Sequence, residues 1–521
     1  MKWASKRVKE KLLKAGSWQE PPSIGDRFTK EDARNLDLAI VGNVVLPFDA
    51  TYFTDRLLSN YVFQSYPLII AYCEVFNDVR HCLEFAKKHG LQIAIRSGGH
   101  STAGLSINDG FVIDLSRMRY AVVDPEKKQV TVGGGTSFGY LNACLDAYGL
   151  HVPGGGCDDV CVGGFVGGGG YGYTSRTFGL NCDNVISIRA MLADGRIVIA
   201  NAKRNADLFW ALRGGMGGNL AVILEITYRV HEISDLWGFQ YQWPLVQGDK
   251  VNRNAARVLA LLHDKHTVSG QSDDLGYSAF LAWQKGEPCL MIRGMFNGTR
   301  ANGQAVLKSI LGVPGATTIL DDVGSYLKLA EWLIYEAPAI PDVPDIARED
   351  KVSCLVARLI KEDEWLGIIE LFLETPNQSS MLGVEPYGGA ISRVAVGDTA
   401  FIHRDAHLNI EFDVFWVAEG AREEAVRYLD RVVAFLKPYS NGRSTQTYPR
   451  QGQADYRRRY WGEWFETLLA VKHKYDRGNV FSHAMALVPE EGRTASPPLH
   501  RVPQLDEPVR DETWSTGAWR T

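Results

Sequence analysis

The sequence predicts an α+β protein whose two halves differ in character. Short apolar strands mix with short helices up to about residue 235, longer strands alternate with helices after it, and no internal repeat is found. With 521 residues the chain is long enough for two domains or one composite domain.

Residues 1–60 read as a polar, irregular extension broken at Pro21-Pro22. The basic start, MKWASKRVKEKLLKAG, lacks the apolar core and cleavage site of a secretory signal and reads as a solvated first helix. Strand Leu68–Ala71, helix Asn77–His89 and strand Gln92–Ile95 follow, and the last runs into the turn RSGGH at Arg96–His100. Val112–Leu115 and Gln129–Val132 read as strands and Ser137–Ala147 as a helix. Asp194-Gly195 between two apolar runs, Val185–Leu192 and Arg196–Ala200, signals a hairpin. Asp207–Arg213 is a short helix and Leu220–Val230 a long strand. Beyond residue 235, strands are expected at Ala279–Trp283, Leu290–Met295, Ser353–Leu359 and Leu408–Trp416. Helices are expected at Ala301–Ile310, Asp363–Leu373, Glu423–Leu436 and from Tyr456 to a turn at Asp476–Asn479. The second half is therefore read as a sheet with helices on one face.

Hydrophobic residues make up 45% and charged residues 22%, the balance of an ordinary soluble protein. A net charge of -5 argues against a nucleic-acid partner. No apolar run approaches the roughly 18 residues of a membrane span. The eight cysteines are scattered, unlike a disulfide framework, and with no secretory signal a cytoplasmic location is expected.

Glycines cluster at 153–172, PGGGCDDVCVGGFVGGGGYG, too densely for a stable helix or strand. Such runs bring backbone N–H groups close to an anion. Gly167–Gly172 formally matches GxGxxG, but no helix follows and Asp194 lies in a hairpin turn, so a Rossmann site is rejected and a pyrophosphate cradle retained. In RSGGH, Arg96 supplies charge and Ser97, Gly98 and Gly99 supply open amides. His100 alone, after a glycine pair, is most often structural.

The runs IRSGGHSTAGLS, GGGCDDVCVGGFVGGGGYGYTSRTFGLNCDNV, DLFWALRGGMGGNLAVILEITYRV, EPYGGAISRV, TAFIHRDAHLNIEF and YWGEWFETLLAVKHKYDRGNVF follow one another between about residues 60 and 485. Together they resemble the berberine-bridge-enzyme-like oxidases, members of the vanillyl-alcohol-oxidase-type flavoproteins. The resemblance implies a two-subdomain FAD-binding domain at 61–235 with an N-terminal extension at 1–60 packed on it. It also implies a substrate domain at 236–450, an antiparallel sheet covered by helices; a segment at 451–488 returning to the FAD domain; and a polar tail at 489–521. It implies FAD linked twice, through the 8α-methyl to His100 and through C6 to Cys157, with a raised redox potential and an open cleft. Arg96, Ser97, Gly98, Gly99, Ser101, Gly156, Val160, Gly163, Gly164, Gly167, Gly168, Tyr171, Tyr173 and Asn479 are the further cofactor-binding residues it implies. Val160 falls where small residues accompany reaction with O₂.

The implied reaction is hydride transfer from an alcohol, a sugar hydroxyl or a natural-product carbon to the flavin, with O₂ as acceptor and H₂O₂ as product. An oxidative cyclase of secondary metabolism, a flavin dehydrogenase slow with O₂, and a protein that only stores FAD are the competing readings. Strand LNIEFDVFW puts Asn409, Glu411 and Asp413 on one face, lining a cleft or facing solvent. Glu411 is the first candidate for the base, with Tyr448 and Glu385 beside it. Tyr387, Asn409 and His403 are candidate substrate contacts, with Arg393 and Arg404 as cleft or framework residues. Two departures from the family stand out: Thr445 replaces the usual first tyrosine before Tyr448, and CVGGF at Cys161–Phe165 replaces the usual GVGGH. No metal is expected, and the chain is expected to be a monomer or homodimer.

Overall fold

The computed structural model describes residues 22–337, 343 and 347–489, so the basic start and nearly all of the polar tail lie outside the described residues. The extension before residue 60 is more regular than expected. Helix Lys30–Ala39 starts at a capping box in which the Thr29 hydroxyl accepts from the Asp32 amide and the Asp32 carboxylate accepts from the Thr29 amide. A helix of mean polar character escapes a search for apolar periodicity, but its cap is legible in retrospect.

Three sheets carry the architecture, which is α+β as expected. The first runs in the order Asn43–Val45, Ile69–Tyr72, Phe111–Asp114, Ile93–Arg96. Its last three strands are parallel, joined through helix Phe76–His89, and their apolar runs are buried on both faces. The second is antiparallel, in the order Ala121–Asp124, Gln129–Gly133, Val222–Arg229, Val185–Met191, Ile197–Asn201. Asp194-Gly195 turns the last hairpin, with Gly195 at φ 84.

The third sheet has seven strands in the order Thr317–Gly324, Leu236–Pro244, Glu287–Phe296, Leu275–Gln284, Met381–Pro386, Leu408–Trp416, Arg348–Val356. All its pairings are antiparallel. Lys285 and Gly286, both at positive φ, form the two-residue turn between strands Leu275–Gln284 and Glu287–Phe296. Leu408, Ile410, Phe412, Val414 and Trp416 enter a core shared with helices Arg253–Leu261, Glu362–Leu373 and Arg422–Leu436. The opposite face carries Asn409, Glu411 and Asp413, which are buried, so the solvent-facing alternative for this strand is excluded.

Two boundaries differ from the expectation in ways that matter. The strand expected at Ser353–Leu359 runs from Arg348 to Val356, because the charged residues Arg348, Glu349, Asp350 and Lys351 lie inside it. The single helix expected at Ala301–Ile310 divides into Arg300–Val306 and Lys308–Leu311. No helix among the described residues is long and apolar enough to cross a membrane.

Candidate active site

Strand Ile93–Arg96 delivers the turn Ser97–His100 to the carboxyl edge of the parallel sheet, where open α/β sheets hold ligands. This turn packs backbone to backbone on the glycine-rich run. A Cβ at Gly98 would lie 2.7 Å from the Asp159 carbonyl, and one at Gly163 would lie 2.5 Å from the Gly134 carbonyl and 3.0 Å from Ser97 Oγ. Both positions therefore require glycine for close approach. The His100 ring ties the loops together, with Nε2 3.0 Å from Asp159 Oδ1. That hydrogen bond is the main reason the Asp159 carboxyl sits below its ordinary range. Cys157, two residues before Asp159, is an exposed free thiol.

The two loops line one cleft with Ser97, Gly98, Gly99, His100, Ser101, Val160, Gly163, Gly164 and Gly168. Nothing lies within 4 Å of the Cβ position at Gly156 or Gly164. Among the described residues, the amides of Gly98, Gly99 and His100 donate to no protein acceptor. Bare backbone, free N–H groups and a flanking imidazole form a cradle that fits a dinucleotide such as FAD.

Other expected residues lie elsewhere. Arg96 is buried and paired with Asp114, and its Nη1 has no hydrogen-bond partner among the described residues. Gly167 is packed against the Gly217 amide. Asn479 is exposed at φ 49 in a turn where its amide donates to the Asp476 carbonyl. The residues that close the cleft instead are Asn219, Gln446 and Thr447, none singled out from sequence. Tyr171 is buried and stacks on Tyr387 with ring centres 5.6 Å apart, and Tyr387 stacks in turn on Phe401. His403 reaches the cleft only through Gln446, 2.9 Å from its Nε2, and burial holds its imidazole down at about 3. Arg404 is a framework residue paired with Asp183, and Arg393 is paired with Asp273 at the surface.

An acidic cluster lies on the inner face of the seven-stranded sheet. Tyr448 donates its hydroxyl to Glu385 Oε1 at 2.7 Å, and Asn409 donates to Glu385 Oε2 at 3.0 Å. Ser353 donates to Asn409 Oδ1 at 2.6 Å. Gly383, opposite Glu411 in register, leaves room for its carboxylate: a Cβ there would lie 2.6 Å from Glu411 Oε1. Lys351, unforeseen from sequence, puts Nζ 3.0 Å from Asp413, 3.5 Å from Glu411 and 3.7 Å from Glu349, and 4.4 Å from the centre of the Tyr448 ring. Burial works to discharge Lys351, but Asp413, Glu411 and Glu349 outweigh it and hold the ammonium well above its ordinary range. Burial, then the charge of Glu411, pushes Glu385 up to about 8, and burial with the same carboxylates raises the Tyr448 phenol. The cluster is thus an array of buried proton carriers around one fixed cation.

One segment joins the two sites. From Thr445 to Arg450, the side chains of Gln446, Thr447 and Pro449 line the glycine cleft, Thr447 Oγ1 donates to the Gly168 carbonyl at 2.7 Å, and Tyr448 bonds Glu385. Thr445, in the place of the family's tyrosine, is buried and donates to Thr447 Oγ1.

Comparison with known proteins matches residues 67–201 to an FAD binding domain and residues 439–487 to a "berberine and berberine like" segment. An uncharacterised FAD-linked oxidoreductase of Bacillus subtilis, YgaK, is 27% identical over 456 residues, spanning 86% of this chain and 97% of that protein. Tetrahydroberberine oxidase of Berberis wilsoniae is 26% identical over 440 residues, 77% of this chain and 82% of its own. The fold of BBE-like 1 from Physcomitrella patens superposes with a TM-score of 0.77 at 23% identity, covering 88% of this chain and all of the other.

Proposed function

Since the chain is an FAD-linked oxidoreductase of the berberine-bridge-enzyme-like family, we propose that it is an oxidase with FAD tethered to His100 and Cys157. The division of labour we assign follows the sequence: a cofactor-binding unit at 61–235, a substrate unit at 236–450, and a C-terminal return at 451–488. The observation that carries the reading is the segment Thr445–Arg450, which closes the glycine cleft with one set of side chains and holds the acid cluster with Tyr448. A cofactor in the cleft and a base on the sheet are thereby set side by side.

FAD held there would accept a hydride from a substrate carbon, in an alcohol, a sugar or a natural product, and return the electrons to O₂ as H₂O₂. His100 and Cys157 are the nucleophiles suited to the two links, and Asp159 keeps the imidazole aimed at the cleft. Gly98, Gly99 and His100 offer their amides to phosphate oxygens. Glu411 takes the proton from the substrate hydroxyl, while Lys351 balances its charge. Glu385 and Tyr448, joined by one short hydrogen bond, place a second proton beside it. Val160 lines the cleft at the position where small residues accompany reaction with O₂ in the family.

The test is chemical. Acid-precipitated protein stays yellow, His100→Ala and Cys157→Ala each retain flavin through the other link, and the double variant releases it. Release from either single variant refutes the double tether. Slow recovery of flavin absorbance on admitting air after anaerobic reduction refutes the oxidase assignment in favour of a dehydrogenase.

A further inference from the structure

We propose that Arg293 forms an anion-binding subsite on the face of the seven-stranded sheet that carries Glu411, so that the substrate carries a carboxylate or comparable acidic group at the end remote from the carbon that is oxidised. The proposal rests on the reading of the acid cluster as the substrate site. It adds a substrate class that the acid cluster alone does not specify.

Arg293 belongs to strand Glu287–Phe296, whose alternate residues Leu290 and Ile292 enter the helix-covered core. Its own side chain shares the face of Met291, which pairs across the sheet with Phe280, then Gly383, then Glu411. Arg293 and Glu411 therefore project from one face of one sheet, their strands three spacings apart, about 14 Å at ~4.8 Å per spacing. Phe280 and Gly383 stand between them on this face, on the two intervening strands.

The guanidinium is held but not neutralised. Nε donates to the Tyr173 hydroxyl at 3.0 Å, Nη1 lies 3.4 Å from the Leu333 carbonyl, and the group sits 5.0 Å from the centre of the Phe280 ring. These partners are all neutral, and among the described residues Arg293 has no carboxylate partner, unlike Arg96, Arg348 and Arg404, which are paired with Asp114, Glu419 and Asp183. Among the described residues Nη2 donates to no acceptor. A half-buried guanidinium fixed at one edge and free at the other is the arrangement that recognises a carboxylate by paired N–H donors. Its charge reaches the cofactor side: the Cys157 thiol, raised mainly by desolvation, is acted on in the opposite sense by both Lys351 and Arg293.

The two ends of this face are electrically opposite. Glu349, Glu411 and Asp413 surround a single lysine at one end, with Glu385 bonded to Asn409 beside them, and an arginine without a carboxylate partner among the described residues stands at the other. An acidic substrate is repelled by the first and held by the second, which presents its neutral, oxidisable end to Glu411. Tyr173, offered from sequence as a cofactor neighbour, gains a specific task as the residue that aims the guanidinium.

Benzoate and benzyl alcohol, alike in shape and different in charge, are the probes. Binding to the holoprotein is read from flavin difference spectra and, independently, from the shift in Tm. Benzoate is expected to bind at least tenfold more tightly than benzyl alcohol, a difference of about 1.4 kcal/mol. Arg293→Gln removes that preference without changing the affinity for benzyl alcohol, Arg293→Lys retains part of it, and Tyr173→Phe weakens benzoate binding by a smaller factor. Equal affinity for the two probes, no benzoate binding up to about 10 mM, or equal loss of both probes in Arg293→Gln overturns the subsite. A yellow protein indifferent to benzoate refutes the subsite and spares the flavin reading; a colourless protein whose Tm rises with benzoate alone does the reverse.

Discussion

Replacing Lys351 by Met keeps the aliphatic stem and removes the one cation inside a carboxylate cage. Its Nζ lies 3.0, 3.5 and 3.7 Å from Asp413, Glu411 and Glu349. At an effective dielectric near 20 each such contact is worth about 4 kcal/mol before desolvation. The net cost of stripping one partner from a buried pair is smaller, about 3–5 kcal/mol. In a chain of this length that corresponds to a fall in Tm of roughly 5 °C. The carboxyls left behind retain protons to higher pH, so bleaching of the flavin by substrate slows near neutrality and recovers as pH rises. The assay is thermal unfolding followed by flavin fluorescence, run on Lys351→Met, Glu411→Gln and the double variant. The double variant is expected to recover at least about 1 kcal/mol relative to additivity. An unchanged Tm in Lys351→Met, or strictly additive effects, refutes the idea that the lysine compensates these acids.

Glu385 supplies a linked prediction. Its folded-state value of about 8 lies above the ordinary 4.5 because of burial and then Glu411. The folded protein therefore binds an extra proton between those values, and the associated stability is full in acid and lost as pH rises through 8, with a slope of about 1.4 kcal/mol per unit. Glu385→Gln should flatten the Tm–pH curve over this interval; parallel curves for variant and parent would count against it. At Gly163 a methyl group would sit 2.5 Å from the Gly134 carbonyl. Gly163→Ala should separate the two loops and lower the share of flavin that survives acid precipitation, and full retention would show that the backbone contact is dispensable.

The fold was legible where pattern and chemistry agreed. Strand Leu408–Trp416 alternates strictly, and its boundaries follow from that. The Asp194-Gly195 hairpin follows from its turn residues. Legibility failed where tertiary contacts override local preference. Arg348-Glu349-Asp350-Lys351 falls before the strand expected from Ser353, yet the segment belongs to an edge strand, with Arg348 paired to Glu419 and Lys351 to Glu411 and Asp413 of the neighbouring strand as well as to Glu349 beside it. Arg96 pairs with Asp114 of the parallel neighbour strand, an adjacency no local window contains. Gln446 and Thr447, which line the cleft, come from a segment whose departure at Thr445 hid its importance.

The closing segment arrives late. Lys472 hydrogen-bonds the Asn219 and Phe481 carbonyls, Leu487 donates to Asn219 Oδ1, and Gln446 fastens to the Gly214 carbonyl, all against a cleft whose nucleophiles were synthesised far earlier. At ribosomal rates of roughly 5–20 residues per second, the interval between the emergence of Cys157 and of Gln446 is on the order of 15–60 s. The clasp formed by residues 446–487 is therefore completed only after every glycine-loop residue of the cleft has been made.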